Sequence, residues 1–338
     1  MDLYRFIRPL LFALSPELAH SATLAGLKLA HRVGLLPNAS TPKSSPIELL
    51  SLKFPNRLGL AAGLDKNGTC IDAFEALGFG FVEVGTVTPR AQSGNPKPRL
   101  FRLIEDQALI NRMGFPNDGM HAVCERLRRR RSDRVCGVNI GKNATTSTDE
   151  AANDYVDCLN LAYPFADYVA VNISSPNTAE LRRLQRGELL RSLLAKLLEA
   201  RSVLARQHGC HVPLLLKLTA DLDDVELEDA ARISLASGVE GIIATNTTVW
   251  RDNLKDLHQH EEGGLSGVPL FTRALHAVQC IRAAVGSSFA VIGVGGIDSA
   301  DDALAMRAAG ADLVQIYTGL VYRGPVLITE ILKSLTSV

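Results

Sequence analysis

Short apolar segments recur along the chain from residue 47 onward, each bounded by polar or glycine residues. Runs of about four to eight aliphatic or β-branched residues with such boundaries are typical of buried strands. Eight strands are predicted on this basis: Leu58–Gly63, Phe81–Thr88, Val135–Gly141, Tyr168–Ser174, Pro213–Thr219, Gly241–Thr247, Ala290–Gly296 and Leu313–Gly319. Helical periodicity follows them, most clearly over Thr69–Leu77, Glu188–Gln207, Val225–Ser237, Leu270–Val285 and Ala300–Ala309.

Eight strands that alternate with helices over roughly 280 residues predict an α/β protein, a (β/α)8 TIM barrel. A doubly wound open sheet is the main alternative. It would usually have fewer strands and a G-x-G-x-x-G turn after the first strand, and no such turn follows Leu58–Gly63. Arg99–Asp106 and Ala108–Met113 predict a β-hairpin inserted after the second strand, and such insertions over a barrel mouth often act as lids.

Residues 1–37 predict a helical hairpin that precedes this barrel. In its first helix, apolar residues fall at helical spacing and form one continuous face: Leu3, Phe6, Ile7, Leu10, Leu11 and Leu14. The second helix is expected to begin after a Ser15 cap with Pro16 at its first position, and to end at Gly34. We therefore divide the chain into 1–37 and a barrel of 38–338. The hairpin either packs on the barrel or serves as a membrane-surface element.

Composition narrows the functional classes. The chain has 338 residues, 46% of them hydrophobic, and a formal net charge of zero, which gives no general bias toward nucleic acid. The one basic run, residues 126–134, is interpreted as the solvated end of a helix. Six cysteines and eight histidines are scattered without metal-ligand spacing, so neither a disulfide framework nor a metal site is expected. We also predict no secretory signal peptide and no membrane-spanning segment.

Polar side chains lie at the C-terminal ends, or tips, of the predicted strands. The residues concerned are Thr86, Asn139, Asn172, Lys217, Thr245 and Asn246. One tip alone would be consistent with an ordinary turn, but in a TIM barrel all of these ends meet at one mouth. A buried amide without a partner costs about 1–3 kcal/mol. The repetition therefore predicts a ligand site, with the Lys217 ammonium facing the ligand.

Glycine-rich segments end the last two predicted strands, at Gly293–Gly296 and Tyr317–Gly319, and another, Gly263–Gly267, follows the sixth. Loops of this kind expose backbone N–H groups and commonly hold phosphate in TIM barrels. A flat phosphorylated cofactor, a lysine and several amides, without metal ligands, together indicate flavin mononucleotide (FMN), with Lys217 at the ring edge that gains negative charge on reduction. A phosphosugar isomerase or aldolase that uses Lys217 is the alternative from a different class.

Several long motifs are similar to those of the dihydroorotate dehydrogenase family: Gly59–Lys66, Asn111–Phe115, Asn172–Asn177, Thr245–Thr248 and Gly293–Ile297. The resemblance covers nearly the whole chain. It implies a (β/α)8 barrel that binds FMN and oxidises dihydroorotate to orotate in pyrimidine synthesis. Ser175 at the base position and the N-terminal extension resemble the membrane-associated class, which uses a quinone. The cytosolic class, which uses fumarate or NAD, is the alternative within the family.

The resemblance also implies roles for individual residues. Those implied for FMN are Ala62, Gly63, Leu64, Asp65, Lys66, Thr86, Asn139, Asn172, Lys217, Thr245, Gly267, Gly296, Tyr317 and Thr318. Those implied for the substrate are Lys66, Asn111, Arg112, Met113, Gly114, Phe115, Asn172, Asn177, Asn246 and Thr247. Ser175 is the implied base, with Thr178 in a proton relay and Phe115 as a shield. We further expect a monomer bound through residues 1–37 to the cytoplasmic face of the cell membrane.

Overall fold

A computed structural model describes residues 4–36, 46–178 and 180–336. In chain order the strands are β1 (Ile47–Leu49), β2 (Leu52–Phe54), β3 (Leu58–Leu60), β4 (Phe81–Val87), β5 (Leu100–Leu103), β6 (Ala108–Asn111), β7 (Val135–Ile140), β8 (Tyr168–Asn172), β9 (Leu214–Leu218), β10 (Gly241–Ala244), β11 (Gly264–Gly267), β12 (Ala290–Val294) and β13 (Leu313–Ile316). The α-helices are α1 (Tyr4–Ala13), α2 (Pro16–Arg32), α3 (Ile71–Ala76), α4 (Met120–Arg128), α5 (Ala151–Ala162), α6 (Gly187–His208), α7 (Asp224–Ser237), α8 (Phe271–Val285), α9 (Ala300–Ala308), α10 (Thr318–Arg323) and α11 (Val326–Leu335).

Eight parallel strands close into a barrel in the order β3, β4, β7, β8, β9, β10, β12, β13. Closure is completed where Val314 of β13 pairs with Leu58 of β3, which rules out the open-sheet alternative. The eight predicted strands and the TIM barrel are confirmed. Most of the strands end earlier than predicted, because their polar tips leave the hydrogen-bonded ladder at the barrel mouth.

The lower half of the barrel interior is filled by large side chains. Phe54 of the β1–β2 hairpin meets Phe81 edge-on, with ring centroids 5.3 Å apart. Gly59 is required beside Phe81, since a Cβ there would lie 2.2 Å from the ring. Gly137 is required beside Tyr168 in the same way, at 2.0 Å. This packing closes the bottom of the barrel and leaves space for a ligand only near the opposite end.

The predicted insertion is confirmed: β5 and β6 form an antiparallel hairpin. A third strand, β11, pairs antiparallel with β6 and places Gly264 opposite Asn111. The segment Gly263–Gly267, predicted as a loop, is therefore mainly a strand. Sequence reasoning missed it because its pairing partner lies about 150 residues away and it has few β-branched residues.

The N-terminal hairpin α1–α2 rests on this insertion. Arg102 of β5 donates to the carbonyl oxygens of Leu11, Phe12 and Leu14, which lie at the C-terminal end of α1. Arg99 pairs with Glu17 of α2 at 2.7 Å. Ser15 precedes α2 as predicted, although its side chain makes no capping hydrogen bond. The proposed domain boundary after residue 37 lies outside the described residues.

The hairpin leaves apolar residues exposed to solvent: Phe6, Ile7, Leu10, Leu14, Leu18, Leu29, Val33 and Leu35. In α1 no residue is buried, and in α2 only Ala19 is. None of the helices in the described ranges combines the length and apolar character that spanning a bilayer requires.

The basic run after α4 differs in part from its interpretation as a solvated helix end. Arg128 and Arg129 are exposed and pair with Glu125. The side chains of Arg130 and Arg134 instead point inward and bind other parts of the chain. Arg130 pairs with Asp167 at 2.9 Å, and Arg134 donates to two backbone carbonyl groups. These residues connect helix α4 to the bottom of the barrel.

Candidate active site

A cavity opens at the C-terminal ends of the barrel strands, with an empty volume of about 1180 Å³ that includes its mouth. It lies between the strand tips and the inserted β-sheet. Most of the residues predicted for the site line this cavity: Ala62, Gly63, Lys66, Thr86, Asn111, Met113, Gly114, Phe115, Asn172, Ser175, Asn177, Lys217, Thr245, Asn246, Thr247, Gly267, Gly296, Tyr317 and Thr318. The sequence-distant strand tips therefore converge, as the barrel prediction requires.

Leu64 and Asp65, predicted for the cofactor, do not line this cavity. Asp65 is buried, and its carboxylate accepts hydrogen bonds from the backbone N–H groups of Thr69 and Cys70. It therefore holds the turn that enters α3. Leu64 faces a second cavity, described below.

Three other predicted residues also lie off the cavity wall. Arg112 pairs with Glu261 at 2.6 Å, and its guanidinium stacks on Phe101. Asn139 lies beneath the floor, fully buried. Thr178 is buried without lining the cavity, so its part in a proton relay stays a prediction.

The floor of the cavity is a chain of hydrogen bonds. The Asn246 amide donates to Asn172 Oδ1 at 3.2 Å, and the Asn172 amide donates to Thr86 Oγ1 at 2.8 Å. Thr86 in turn donates to Asn139 Oδ1 at 2.6 Å. The Asn139 amide then donates to Glu83 Oε1 at 2.8 Å. Three neighbouring strands, β4, β7 and β8, and the tip that follows β10 are tied together in this way, and the side chains are fixed before any ligand arrives.

The cation of the floor is Lys217, which is 5% exposed. Its Nζ lies 3.4 Å from Oε1 of Glu83, whose carboxylate is completely buried. A buried charge without a partner is strongly unfavourable, so this ion pair explains how the apolar strand β9 accommodates a lysine. The predicted ligand-facing position of Lys217 is consistent with its place in the cavity wall.

Lys66 stands at the opposite wall, where its Nζ donates to the carbonyl oxygen of Gly63 at 2.7 Å. Burial, reinforced by the positive charge of Arg99, lowers the pKa of Lys66 to about 8. An anionic ligand group such as a carboxylate would offset the cost of burying this ammonium, so Lys66 suits the recognition of an anion.

Ser175 lines the same cavity from the loop after β8. Its Oγ accepts a hydrogen bond from the backbone N–H of Asn177 at 3.2 Å. The Asn177 amide donates to Asn111 Oδ1 at 3.2 Å, which joins this loop to the inserted β-sheet. Ser175 as a whole is 5% exposed. A hydroxyl with a backbone donor and little water around it can hold charge that develops during proton transfer.

Phe115 lines this part of the cavity and is 8% exposed. Its backbone has φ of +53°, a left-handed conformation that is uncommon for an aromatic residue. Gly141 packs against its ring, since a Cβ there would lie 3.2 Å from the Phe115 side chain. Backbone strain of this kind persists where surrounding packing enforces it, frequently at functional sites.

The end of the cavity below the inserted β-sheet is rich in glycine and hydroxyl groups. Gly267 and Gly296 both have positive φ, +96° and +73°. Thr318 donates to Ser266 Oγ at 2.9 Å, and both residues line the cavity. Hydroxyls and exposed backbone amides are the groups that hold a phosphate without metal ions. This end could therefore bind the phosphate of a nucleotide.

A second cavity lies between the N-terminal hairpin and the barrel, with an empty volume of about 920 Å³ that includes its open mouth. Its lining is predominantly apolar, with Phe12, Leu24 and Phe74 among the contributing residues. Both cavities share part of their walls: His20, Leu100, Leu109 and Tyr317. A flat ring in the polar cavity would consequently lie close to a ligand in the apolar one.

Several residues of this arrangement were not predicted from the sequence: His20, Glu83, Arg102, Ser266 and Gln315. Glu83 carried a usable signal, because it interrupts the apolar strand Phe81–Val87 as Lys217 interrupts its own. His20 and Arg102 carried no such signal in the sequence, because their roles depend on the packing of the N-terminal hairpin against the barrel.

The closed barrel, the polar mouth and the adjoining apolar cavity define an enzyme that handles a polar substrate next to an apolar one. The family model Dihydroorotate dehydrogenase matches residues 46–338. The chain belongs to this family. A relative from Chromobacterium violaceum, "Dihydroorotate dehydrogenase (quinone)", is 51% identical over 97% of this chain and 96% of its own length. A relative of the same name from Polaromonas naphthalenivorans is 51% identical over 98% of this chain and 97% of its own.

Solved structures agree with this assignment. A crystal structure of DHODH from Eimeria tenella in complex with ferulenol superposes with a TM-score of 0.88 at 37% identity, covering 95% of this chain and 91% of that one. The ligand-free form from the same organism gives a TM-score of 0.87 at 37% identity, over 95% and 94% of the two chains. The predicted family and fold are confirmed.

Proposed function

We propose that this chain oxidises dihydroorotate to orotate in pyrimidine synthesis and passes the electrons through FMN to a membrane quinone. One observation carries the proposal: the polar and apolar cavities share a wall formed partly by His20 and Tyr317. A single ring at that wall can accept electrons from a polar substrate on one side and deliver them to an apolar acceptor on the other. The quinone-dependent relatives support the same pairing of substrates.

The residues present fit FMN. Lys217 supplies the cation for the ring edge that becomes more negative on reduction. Thr318, Ser266 and the loops of Gly267 and Gly296 supply hydroxyls and backbone amides at the end suited to phosphate. When bound, the flavin accepts a hydride equivalent and returns electrons to an acceptor. Leu64 and Asp65 support this site from outside the cavity.

Dihydroorotate is a cyclic amide with a carboxylate, and the cavity offers partners for each part. Lys66 is proposed to pair with the carboxylate. The side chains proposed to bind the amide and carbonyl edges are Asn111, Asn172, Asn177, Asn246 and Thr247. Their amides can donate and accept, which suits a ring with both kinds of group.

Ser175 is proposed as the base that receives the proton from C5 of the substrate. As Oγ takes this proton, the hydroxyl's own proton passes to the relay, and the backbone N–H of Asn177 stabilises the partial negative charge on Oγ as that proton leaves. Phe115 excludes water from the reacting atoms. Thr178 is proposed to carry the proton onward, and this is an extension of the family resemblance.

The apolar cavity is the proposed quinone site. It is lined by both helices of the hairpin, and exposed apolar residues continue from it along α1. Residues 4–36 would then rest on the cytoplasmic face of the cell membrane, so that a quinone can enter from the lipid phase. A monomer suffices for this arrangement, because both cavities are built from one chain.

Steady-state kinetics test the proposal. Purified protein should contain one FMN per chain and should form orotate in step with the reduction of a soluble quinone analogue. Fumarate or NAD in place of the quinone should give little turnover, because the apolar cavity offers few polar partners. Protein without flavin, or turnover that requires fumarate or NAD, would contradict it. A phosphosugar reaction at Lys217 is not favoured, because the family acts on dihydroorotate and Glu83 holds the ammonium.

A further inference from the structure

Glu83 lies at the centre of the barrel, directly below the cavity floor. Its carboxylate accepts four hydrogen bonds from four different side chains. Oε1 accepts from Asn139 at 2.8 Å and Lys217 at 3.4 Å, and Oε2 accepts from Tyr168 at 2.9 Å and Gln315 at 2.8 Å. These partners stand on strands β7, β9, β8 and β13, which include opposite sides of the barrel. Glu83 itself does not line the cavity.

A carboxylate can only accept hydrogen bonds, and this fixes the orientation of its neighbours. The Asn139 amide must turn its NH2 group toward Glu83, which leaves its oxygen to accept from Thr86. Thr86 Oγ1 is then left to accept from Asn172. Asn172 Oδ1 in turn accepts from Asn246. Every donor along the floor therefore points toward Glu83, and the direction of the whole chain is set by this one acceptor.

Gln315 is oriented by the same rule. Its NH2 group donates to Glu83, so its oxygen is directed away from the carboxylate. That oxygen is buried and has no hydrogen-bond partner among the described residues, although Gln315 lines the cavity. A buried acceptor in a cavity wall calls for a donor from the ligand.

We propose that Glu83 is the positioning residue of the cofactor site: it balances the charge of Lys217, directs the amides of the floor and turns the Gln315 oxygen toward a donor group of the flavin. Gln315 is then a binding residue for the cofactor. The proposal rests on the proposed function, because it requires that the ligand on this floor is a flavin.

Charge and direction have separate consequences. The carboxylate offsets the positive charge of Lys217 beside the ring. Without it, the floor would be net positive, and the reduced flavin, which carries more negative charge, would be favoured. Burial, together with the neighbouring Glu83, raises the pKa of Tyr168, so this hydroxyl keeps its proton and remains a donor.

Glu83→Gln tests the charge, with Tyr168→Phe as the matched control. Glutamine preserves the shape of Glu83 and removes its negative charge, whereas phenylalanine removes one hydrogen bond to Glu83 and leaves the charge in place. In the FMN-loaded proteins we expect the flavin midpoint potential of Glu83→Gln to rise by about 30 mV, a tenfold shift for a two-electron couple. Tyr168→Phe should remain at the wild-type potential. An unchanged or lowered potential in Glu83→Gln would overturn the proposal.

Gln315→Met is a second variant, which tests the proposal if Glu83→Gln does not fold or does not retain flavin. Methionine is similar in size and lacks both amide atoms. The dissociation constant for FMN should increase about tenfold, as expected for the loss of one buried hydrogen bond to the cofactor. An unchanged dissociation constant would overturn the assignment of Gln315. Failure of the proposed function is distinguishable, because the wild-type protein would then lack flavin or fail to be reduced by dihydroorotate.

Discussion

The Nε2 atom of His20 lies 2.7 Å from the carbonyl oxygen of Leu64, and this contact joins helix α2 to the barrel where the two cavities meet. A carbonyl oxygen only accepts, so His20 is the donor. Burial, with a contribution from the positive charge of Lys66, lowers the pKa of His20 and keeps the ring neutral at pH 7. The imidazole therefore forms a neutral, polar part of an otherwise apolar wall.

Replacement of His20 should separate the two halves of the reaction. His20→Ala is expected to slow reoxidation of the reduced protein by a quinone analogue about tenfold, because one buried hydrogen bond and part of the shared wall are lost. The rate at which dihydroorotate bleaches the flavin should stay within about twofold. Single-turnover absorbance at each step measures both. His121→Ala on the exposed surface of α4 is the control, and an equal loss in both steps would argue against a quinone role.

Lys66 predicts an alkaline limit on substrate capture. Its pKa of about 8 means that the free enzyme loses the positive charge as the pH rises through 8, while the substrate carboxylate stays ionised. The value of kcat/KM for dihydroorotate should therefore fall on the alkaline side of a midpoint near pH 8. Lys66→Arg, whose guanidinium stays charged, should abolish this alkaline decrease in kcat/KM and should lower the maximal kcat/KM. A wild-type profile that stays flat to pH 9.5 would show that Lys66 does not bind the carboxylate.

Ser175→Ala tests the base. Removal of a general base typically lowers the rate by about 10²–10⁴-fold. We expect flavin bleaching by dihydroorotate at pH 7 to slow by at least about a hundredfold. The dissociation constant of orotate should change by less than about threefold, because the amides that bind it remain in place. Unchanged bleaching would identify another group as the base.

Exposed apolar residues of α1 predict membrane binding. Leu10 is 72% exposed, and Leu257, in the segment between β10 and β11, is 93% exposed. Leu10→Asp should reduce co-sedimentation with lipid vesicles severalfold, because a charge would enter the interface. Leu257→Asp, which introduces the same charge at another exposed leucine, should bind vesicles like the wild type. Equal binding by both variants would show that α1 is not the contact surface.

Glu75 predicts a pH-dependent stability that is independent of catalysis. Burial raises the pKa of this carboxyl from 4.5 to about 7, despite the opposing effects of Ser132 and Arg134. The folded state therefore holds the proton more tightly than the unfolded chain, so stability is lost as the pH rises from 4.5 through 7.

Glu75→Gln should consequently stabilise the protein at pH 8 by on the order of 2 kcal/mol and have little effect at pH 4.5. Urea unfolding at the two pH values measures the difference. Glu48→Gln, at an exposed position, should show no such dependence. A stabilisation that is equal at both pH values would contradict the assignment to Glu75.

Much of the fold follows from local pattern. The strands are apolar runs that end in polar tips, and a parallel barrel brings such tips together wherever they occur along the chain, which is why Asn172 and Lys217 could be predicted to share one cavity. The strand β11 could not, because its pairing with β6 is set by tertiary contact rather than by its own composition. Arg112 and Asp65 were predicted to line the ligand site. They do not, because Arg112 pairs with Glu261 and the Asp65 carboxylate accepts from the backbone N–H of Cys70.

The second cavity could not be predicted from the sequence. The hairpin helices were predicted, but their seating depends on the contacts of Arg99 and Arg102 with α2 and α1, which no local pattern reveals. The position of Glu83 within a strand could be predicted from the sequence. Its four hydrogen-bond partners could not, because they lie on four other strands.

Anaerobic rapid mixing tests the transfer of electrons between the two cavities most directly. Dihydroorotate added to the oxidised full-length protein should bleach the flavin absorbance before any quinone is present, and a quinone analogue added next should restore it. His20→Ala should slow only the second phase. Absence of bleaching, or bleached flavin that a quinone does not reoxidise, would contradict the passage of electrons from the polar cavity to the apolar one.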